Sequence, residues 1–287
     1  MEESNIKHIV ISGGGTFGLI AYSVLRETEK ANFWKLENIE SFHATSIGTL
    51  MSVITALKFE WEVLDDYLIK RPWNQMFKYE IDQCLNAFEN CGLFTIKDFK
   101  KFFEPLFAAK EIDIDITMLE FYEKTKKTLY FYAAEVNNFE LECFSHTTHP
   151  QLKLVDACYA SSSLPFIFKP LVLEDKAYID GGLFLNYPIA QCFEKTQAEH
   201  NEVFGIFKRL HNKEEQQHTI LNYLKDESNM FELIMLLISN ALKIINKGSV
   251  VKECKYQIQI HRGYTDINDL MQFLNSESHR IEMIQEG

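Results

Sequence analysis

The sequence is short of positive charge: 29 Lys and Arg stand against 41 Asp and Glu, a net charge of −12. Affinity for nucleic acid comes mostly from neutralising phosphates, so a nucleic-acid partner is excluded. The same sign removes long-range attraction to an anionic membrane. There is no apolar run of the ~20 residues that a spanning helix needs. The longest such stretch, Met230 to Ile245, contains Glu232 and Asn240. None of the six cysteines (Cys84, Cys91, Cys143, Cys158, Cys192 and Cys254) forms a CxxC pair, and no histidines cluster at zinc-ligand spacing. No metal site is therefore implied. Met1 to Lys7 is polar and acidic rather than a secretory leader, so the cysteines read as reduced core residues of an intracellular, cytoplasmic chain. With no repeat, low-complexity tract or Pro/Gly-rich linker, the expectation is one domain over residues 1–287. Its recognisable core is 7–210, and 211–287 is a mainly helical C-terminal extension packed on it.

What is present is apolar supply: 46% hydrophobic residues, including 23 Phe. Lys7 to Ile11 reads as a buried strand that runs into Ser12 and three glycines. Leu19 to Lys30 has helical spacing, Ile39 to Thr45 looks like a second strand, and Ile47 to Phe59 like an apolar helix. Strand, glycine turn, helix, strand, sharp turn, helix is the start of a parallel α/β sheet. Thr95 with Asp98 suits a capping box before Phe99, Phe102, Phe103, Leu106 and Phe107 at helical spacing. Leu129 to Val136 and Glu140 to Phe144 read as a hairpin about Asn137-Asn138. Leu152 to Ser161 reads as a helix, and Leu171–Leu173 with Ala177–Ile179 as strands about a Glu174-Asp175 turn. Tyr187 to Thr196 reads as a helix with Asn186 as N-cap. Val203 to Phe207 is the last strand of the core, 219–247 is mainly helical, Tyr256 to His261 is a strand, and a closing helix starts at Asp266.

Three places carry chemistry. Gly13-Gly14-Gly15-Thr16-Phe17-Gly18 lies between a strand and a helix, where backbone N–H groups can converge on an anion. The spacing fits a dinucleotide fingerprint, an oxyanion nest or a structural turn. The acid that a ribose needs at the end of the second strand is missing, since Ala44-Thr45-Ser46 stands there. Ala44-Thr45-Ser46-Ile47-Gly48 matches the nucleophile elbow G-x-S-x-G with Ala for the first Gly. An ordinary serine helix cap has the same look. Tyr178-Ile179-Asp180-Gly181-Gly182 puts a carboxylate at the end of a strand, where α/β proteins build sites, though a turn Asp reads the same way.

In this order, these pieces resemble the patatin-like phospholipase family over roughly residues 7 to 210. Ala160-Ser161-Ser162-Ser163-Leu164-Pro165 with Phe168 and Pro170, and Asn186 with Pro188, extend the resemblance. It implies a three-layer α/β/α fold with a mainly parallel central sheet. It also implies a serine hydrolase for carboxylic esters of lipids, of the phospholipase A or lysophospholipase type, working through an acyl-enzyme. Ser46 would be the nucleophile, Asp180 the proton acceptor, and Gly13, Gly14 and Gly15 the oxyanion hole. Gly18, Ala44, Gly48, Gly181 and Gly182 complete the motifs, with no cofactor and no metal. The implied partner is a lipid or phospholipid substrate, met by transient contact with a membrane surface; whether a protein activates the chain stays open. Two departures stand out: Ala44 for the usual Gly, and Thr16-Phe17 where many members carry Lys or Arg.

Three other readings compete. A Ser-Asp-His esterase would draw on His200, His211, His218, His261 or His279, none of which lies in a recognisable motif. A catalytically impaired lipid-binding protein is kept open by Ala44, and a nucleotide-binding module by the glycine loop. His43, beside the elbow, reads as packing, because strand alternation turns it away from the face of Ala44. The Phe-rich segment from Tyr67 to Phe107 reads either as core or as a cap folded over the site, lining it with Phe88, Leu93, Phe94, Phe99 or Phe103 and meeting lipid with one exposed face.

Overall fold

The computed structural model describes residues 5–77, 89–210, 233, 236, 254–262 and 267–287. In chain order its strands are β1 (His8–Ile11), β2 (Ser41–Thr45), β3 (Gly92–Phe94), β4 (Thr128–Glu135) and β5 (Glu140–Phe144). They continue with β6 (Phe166–Phe168), β7 (Leu171–Leu173), β8 (Lys176–Asp180), β9 (Val203–Leu210) and β10 (Tyr256–Arg262). β1 and β2 are buried at every position, as befits parallel strands covered on both faces. The main sheet has the order β10-β9-β1-β2-β4-β8-β7, with β5 also on β4. β10, β9, β1, β2 and β4 run parallel, while β5, β8 and β7 are added antiparallel. β3 and β6 form a separate pair.

The register around β4 builds the site. β2 pairs with β4 from Thr128 to Tyr132, and β8 pairs with it from Ala133 to Glu135. β5 pairs with β4 from Phe131 to Glu135, overlapping both, so it occupies the opposite edge. β2 and β8 therefore share one edge of β4 end to end. Thr45 is level with Tyr132, and Asp180 with Ala133. Where β2 leaves the sheet, β8 takes its place, and the residue after Thr45 meets Asp180.

Strand alternation sorts the core into two faces. Ile9, Ile11, Phe42, Ala44, Phe131 and Phe144 belong to the main cluster, with side chains of helices Gly18–Lys30, Ile47–Ala56 and Leu154–Ser162. On the other face Val10 and Val203 join Ile189, Cys192 and Phe193 of helix Ile189–Thr196. Helices on both faces of a mainly parallel sheet make the α/β/α fold.

The Phe-rich helix runs Ile96–Ala109 with the Thr95/Asp98 capping box, and Phe99, Phe102, Phe103, Leu106 and Phe107 are buried. Phe94 is buried too, its ring 5.3 Å from Phe77. The lipid-facing cap is thus corrected for Phe94, Phe99 and Phe103, whose apolar faces turn inward, while Phe88 and the stretch Met230–Ile245 lie outside the described residues. So do Cys84, His211 and His218, and all of 219–247 but residues 233 and 236. β10 extends the main sheet beside β9, and the closing segment is two helices, Ile267–Asn275 and Glu277–Glu286. Ser276 divides them by capping the second, its hydroxyl accepting from His279 N. Helices Trp61–Lys70 and Met118–Thr125 had no place in the sequence reading. The second carries a legible signal, the capping box of Thr117 and Glu120. Among the described residues, the five cysteines are free and no helix is long and apolar enough to cross a membrane.

Candidate active site

Ser46 occupies a sharp turn between β2 and helix Ile47–Ala56, with φ 55° and ψ −129°. A non-glycine residue in such a conformation costs of order 1–3 kcal/mol and persists only where its surroundings hold it. Here they do. Ser46 N donates to Ser161 Oγ at 3.0 Å, and Ser161 Oγ donates to Tyr132 O at 2.6 Å. Thr49 returns two bonds to Ser46 O, from its N at 2.9 Å and its Oγ1 at 2.7 Å. A Cβ on Gly48 would stand 2.7 Å from Ile11 O, so the turn needs glycine there. A Cβ on Gly18 would stand 2.3 Å from Ile47 Cγ1, so the helix after the glycine loop packs tightly on the elbow. Ala44 is wholly buried within β2, level with Ile11 and Phe131. Its methyl joins the core, and the turn forms two residues later.

Ser46 Oγ donates to Asp180 Oδ2 at 2.5 Å. Asp180 Oδ1 accepts from Gly182 N at 2.7 Å, and Asp180 N donates to Ser163 O at 2.9 Å. A Cβ on Gly181 would lie 2.0 Å from Tyr132 O, so the chain turns away from β4 only because this residue has none. Burial pushes the Asp180 carboxyl from its ordinary 3.8 up to about 6, against the pull of the Ser46 and Gly182 bonds. Such a group is ionised at neutral pH and still basic enough to take a proton.

The glycine loop lies directly against the elbow. A Cβ on Gly13 would stand 3.0 Å from Ser46 Cβ. Gly13 N donates to Asn186 O at 3.0 Å, and Asn186 Nδ2 donates to Gly13 O at 3.4 Å. The Gly13 N–H is engaged by the Asn186 carbonyl, and the reading of Asn186 as a helix cap is corrected. Asn186 ties the glycine loop to the Asp180 loop, and helix Ile189–Thr196 starts after Pro188 instead of being capped by Asn186. A Cβ on Gly14 would stand 2.9 Å from Phe17 Cβ. Gly15 has φ 60° and opens the 3₁₀ turn Gly15–Phe17, whose last residue leads into helix Gly18–Lys30. Ser161 is visible in the sequence only as a motif letter, Asn186 as a motif letter and a helix cap, and Thr49 gives no signal at all.

His43 is buried on the opposite face from Ala44. Its ring stacks on Tyr130 at 4.4 Å, and its Nδ1 lies 3.3 Å from Tyr132 OH. Burial holds it neutral, well below the ordinary histidine range. Among the described residues, no histidine is bonded to Ser46 or Asp180, and no His, Cys, Asp and Glu form a group that could hold a metal.

Residues 9–193 match the family model described as patatin-like phospholipase. The chain belongs to the patatin-like phospholipase family. Over 185 residues it is 26% identical to the "Probable lipid hydrolase 463L" of Invertebrate iridescent virus 6, a match spanning 64% of this chain and 62% of that one. It is 24% identical over 209 residues to the "Uncharacterized protein R571" of Acanthamoeba polyphaga mimivirus, spanning 70% and 69%. The patatin-like fold is shared with VipD from Legionella pneumophila, at a TM-score of 0.52 and 14% identity, over 98% of this chain and 67% of VipD.

Proposed function

We propose that the protein hydrolyses carboxylic ester bonds of lipids, as a phospholipase A or lysophospholipase, through a Ser46–Asp180 dyad. The observation that carries this reading is the 2.5 Å bond from Ser46 Oγ to Asp180 Oδ2 at a strained elbow. Family membership supports it, as does the likeness to the probable lipid hydrolase of the iridescent virus.

The chemistry runs in two halves. Asp180 Oδ2 takes the Ser46 hydroxyl proton as Oγ attacks the ester carbonyl carbon. The carbonyl oxygen becomes an anion facing the glycine loop. We assign its stabilisation to the N–H groups at the start of the 3₁₀ turn, Gly15 first, where one lost donor costs on the order of 3 kcal/mol. The alcohol leaves with the proton from Asp180, and the acyl group stays on Ser46. Water then attacks the acyl carbon while Asp180 takes its proton. The fatty acid departs, and Ser46 regains its hydrogen. Asn186, Ser161 and Thr49 act as positioning residues.

A serine-directed fluorophosphonate probe with a lipid panel tests the reading. Labelling and hydrolysis should vanish in Ser46→Ala. Hydrolysis should fall by about 10²–10⁴ in Asp180→Asn, whose amide cannot take the proton. An Asp180→Asn protein with wild-type turnover would remove Asp180 from the mechanism.

A further inference from the structure

On the face that carries helix Ile189–Thr196, the far end of the sheet is apolar and open. Register places Leu141, Ala134 and Ile179 in one row across β5, β4 and β8. In the next row outward, Val136 N donates to Ala177 O at 2.8 Å, and Ala177 pairs with Val172. Asp180 pairs with Ala133, so alternation puts both rows on the face opposite its carboxyl. Val136, Phe139, Leu141 and Val172 are 41, 58, 39 and 62% exposed. The Phe139 ring packs edge-on against Phe184, at 4.6 Å, and Phe184 lies four residues past Asp180. β4 runs three residues beyond the level of Thr45, so the hairpin tip stands roughly 10 Å past the elbow.

The β7–β8 turn at the rim of this patch is acidic, with Glu174 and Asp175 exposed, while alternation puts Glu140 and the Lys176–Glu142 pair, at 3.2 Å, on the opposite face. Contiguous exposed apolar area with a polar rim marks a binding surface. We propose that the β4–β5 tip, together with the β7–β8 edge, docks the protein on a phosphatidylcholine surface; this rests on the lipid-hydrolase reading above. The outermost charge of such a surface is a trimethylammonium group. Carboxylates at the rim attract it, and the face of Phe139 binds it by cation–π attraction. An anionic lipid surface meets the same carboxylates with repulsion. A second copy of this chain would set Glu174 and Asp175 against like charges. Docking through Phe139 and its neighbours brings the loop that follows Asp180 onto the lipid.

Flotation of the full chain with dioleoylphosphatidylcholine vesicles tests this. Wild type and Ser46→Ala should both float. Phe139→Ser combined with Val172→Ser should weaken vesicle partitioning about a hundredfold, roughly tenfold per apolar side chain removed. Leu141→Ser alone should weaken it about tenfold. All three substitutions are on the surface, so hydrolysis of dissolved 4-nitrophenyl butyrate should stay within about twofold. Dioleoylphosphatidylglycerol vesicles should bind more weakly, and more weakly still at low salt. The proposal is overturned if the serine variants float like wild type, or if wild type prefers phosphatidylglycerol. It is equally overturned if the patch mediates a dimer and no vesicle binding. Ser46→Ala with undiminished hydrolysis would instead sink the hydrolase reading, and that result is read independently of flotation.

Discussion

One face of the central sheet carries helices Gly18–Lys30, Ile47–Ala56 and Leu154–Ser162 over a core that includes Phe42, Ala44 and Phe131. The other face has a small cluster under helix Ile189–Thr196 and an uncovered apolar end at Val136, Leu141 and Val172. The same strands feed both faces by alternation, so the difference lies in what is packed on them. The thick face supplies what holds the elbow: Ser161 from one helix and Thr49 from another both bond to Ser46. A residue held at φ 55° needs such a frame. The other face ties β2 to the loop after Asp180 through Thr45 Oγ1 and Leu185 O at 2.8 Å, and its far end offers exposed area.

The largest expected effect sharpens this contrast directly. Phe42→Ala empties a fully buried position on the thick face and should cost about 3–5 kcal/mol of unfolding free energy. Val172→Ser, on the same sheet, should change stability by less than about 0.5 kcal/mol. Urea unfolding of both variants measures the gap. Equal losses would mean that the open end is packed in solution.

Next comes Asp180, through which the proposed mechanism links stability to activity. Its folded carboxyl sits near 6, above its ordinary 3.8, because burial opposes ionisation. The folded state therefore holds the proton more tightly than the unfolded chain. Stability contributed by this group is greatest below 3.8, falls as pH rises through the interval to about 6, and is flat above it. The full penalty is roughly 3 kcal/mol at pH 8. Asp180→Asn should therefore be more stable than wild type at pH 8, by up to roughly that amount, with the gain fading towards pH 4. In wild type the kcat/KM for a dissolved ester should fall as pH drops below about 6. A pH-independent stability difference would contradict the burial argument.

Ser161 gives a smaller effect. Ser161→Ala leaves Ser46 N without its acceptor and Tyr132 O without its donor, for a loss of about 1–3 kcal/mol. The elbow should loosen, so kcat should fall while KM for a dissolved ester changes little, and Ser161→Thr should restore part of kcat. A loss confined to KM would assign Ser161 to substrate contact instead.

How much of this was legible depended on how local each signal is. The elbow at Ser46, the Asp180 strand end and the capping box at Thr95 are patterns of three to five neighbouring residues, and each appears where its letters stand. The meeting of β2 and β8 along one edge of β4 joins residues 134 positions apart, and no local spacing encodes it. Gly13 read as an anion donor because glycines permit that geometry; that its N–H meets a carbonyl 173 residues away is not a local signal. Phe139 and Leu141 read as an ordinary hairpin, because alternation marks a face without saying what covers it. The Phe-rich helix drew attention as a possible lipid face, but its spacing was simply that of a core helix.

The smallest effect belongs to His43, and it separates packing from chemistry. The ring is buried, neutral and stacked on Tyr130; among the described residues its Nε2 has no partner, and the bond to Tyr132 OH is long at 3.3 Å. It lies on the open-face side of β2, while Asp180 pairs with Ala133 and points to the other. Phenylalanine keeps the stacked ring and removes a nitrogen that nothing satisfies. Replacing a weakly satisfied buried polar group by an apolar one of similar shape is close to neutral. His43→Phe should thus change stability by less than about 1 kcal/mol and ester turnover by less than about twofold. Thermal melts and a dissolved-ester assay read both numbers. A His43→Phe enzyme as inactive as Ser46→Ala would make the histidine a participant, and the Ser46–Asp180 dyad could not then be the whole of the machinery.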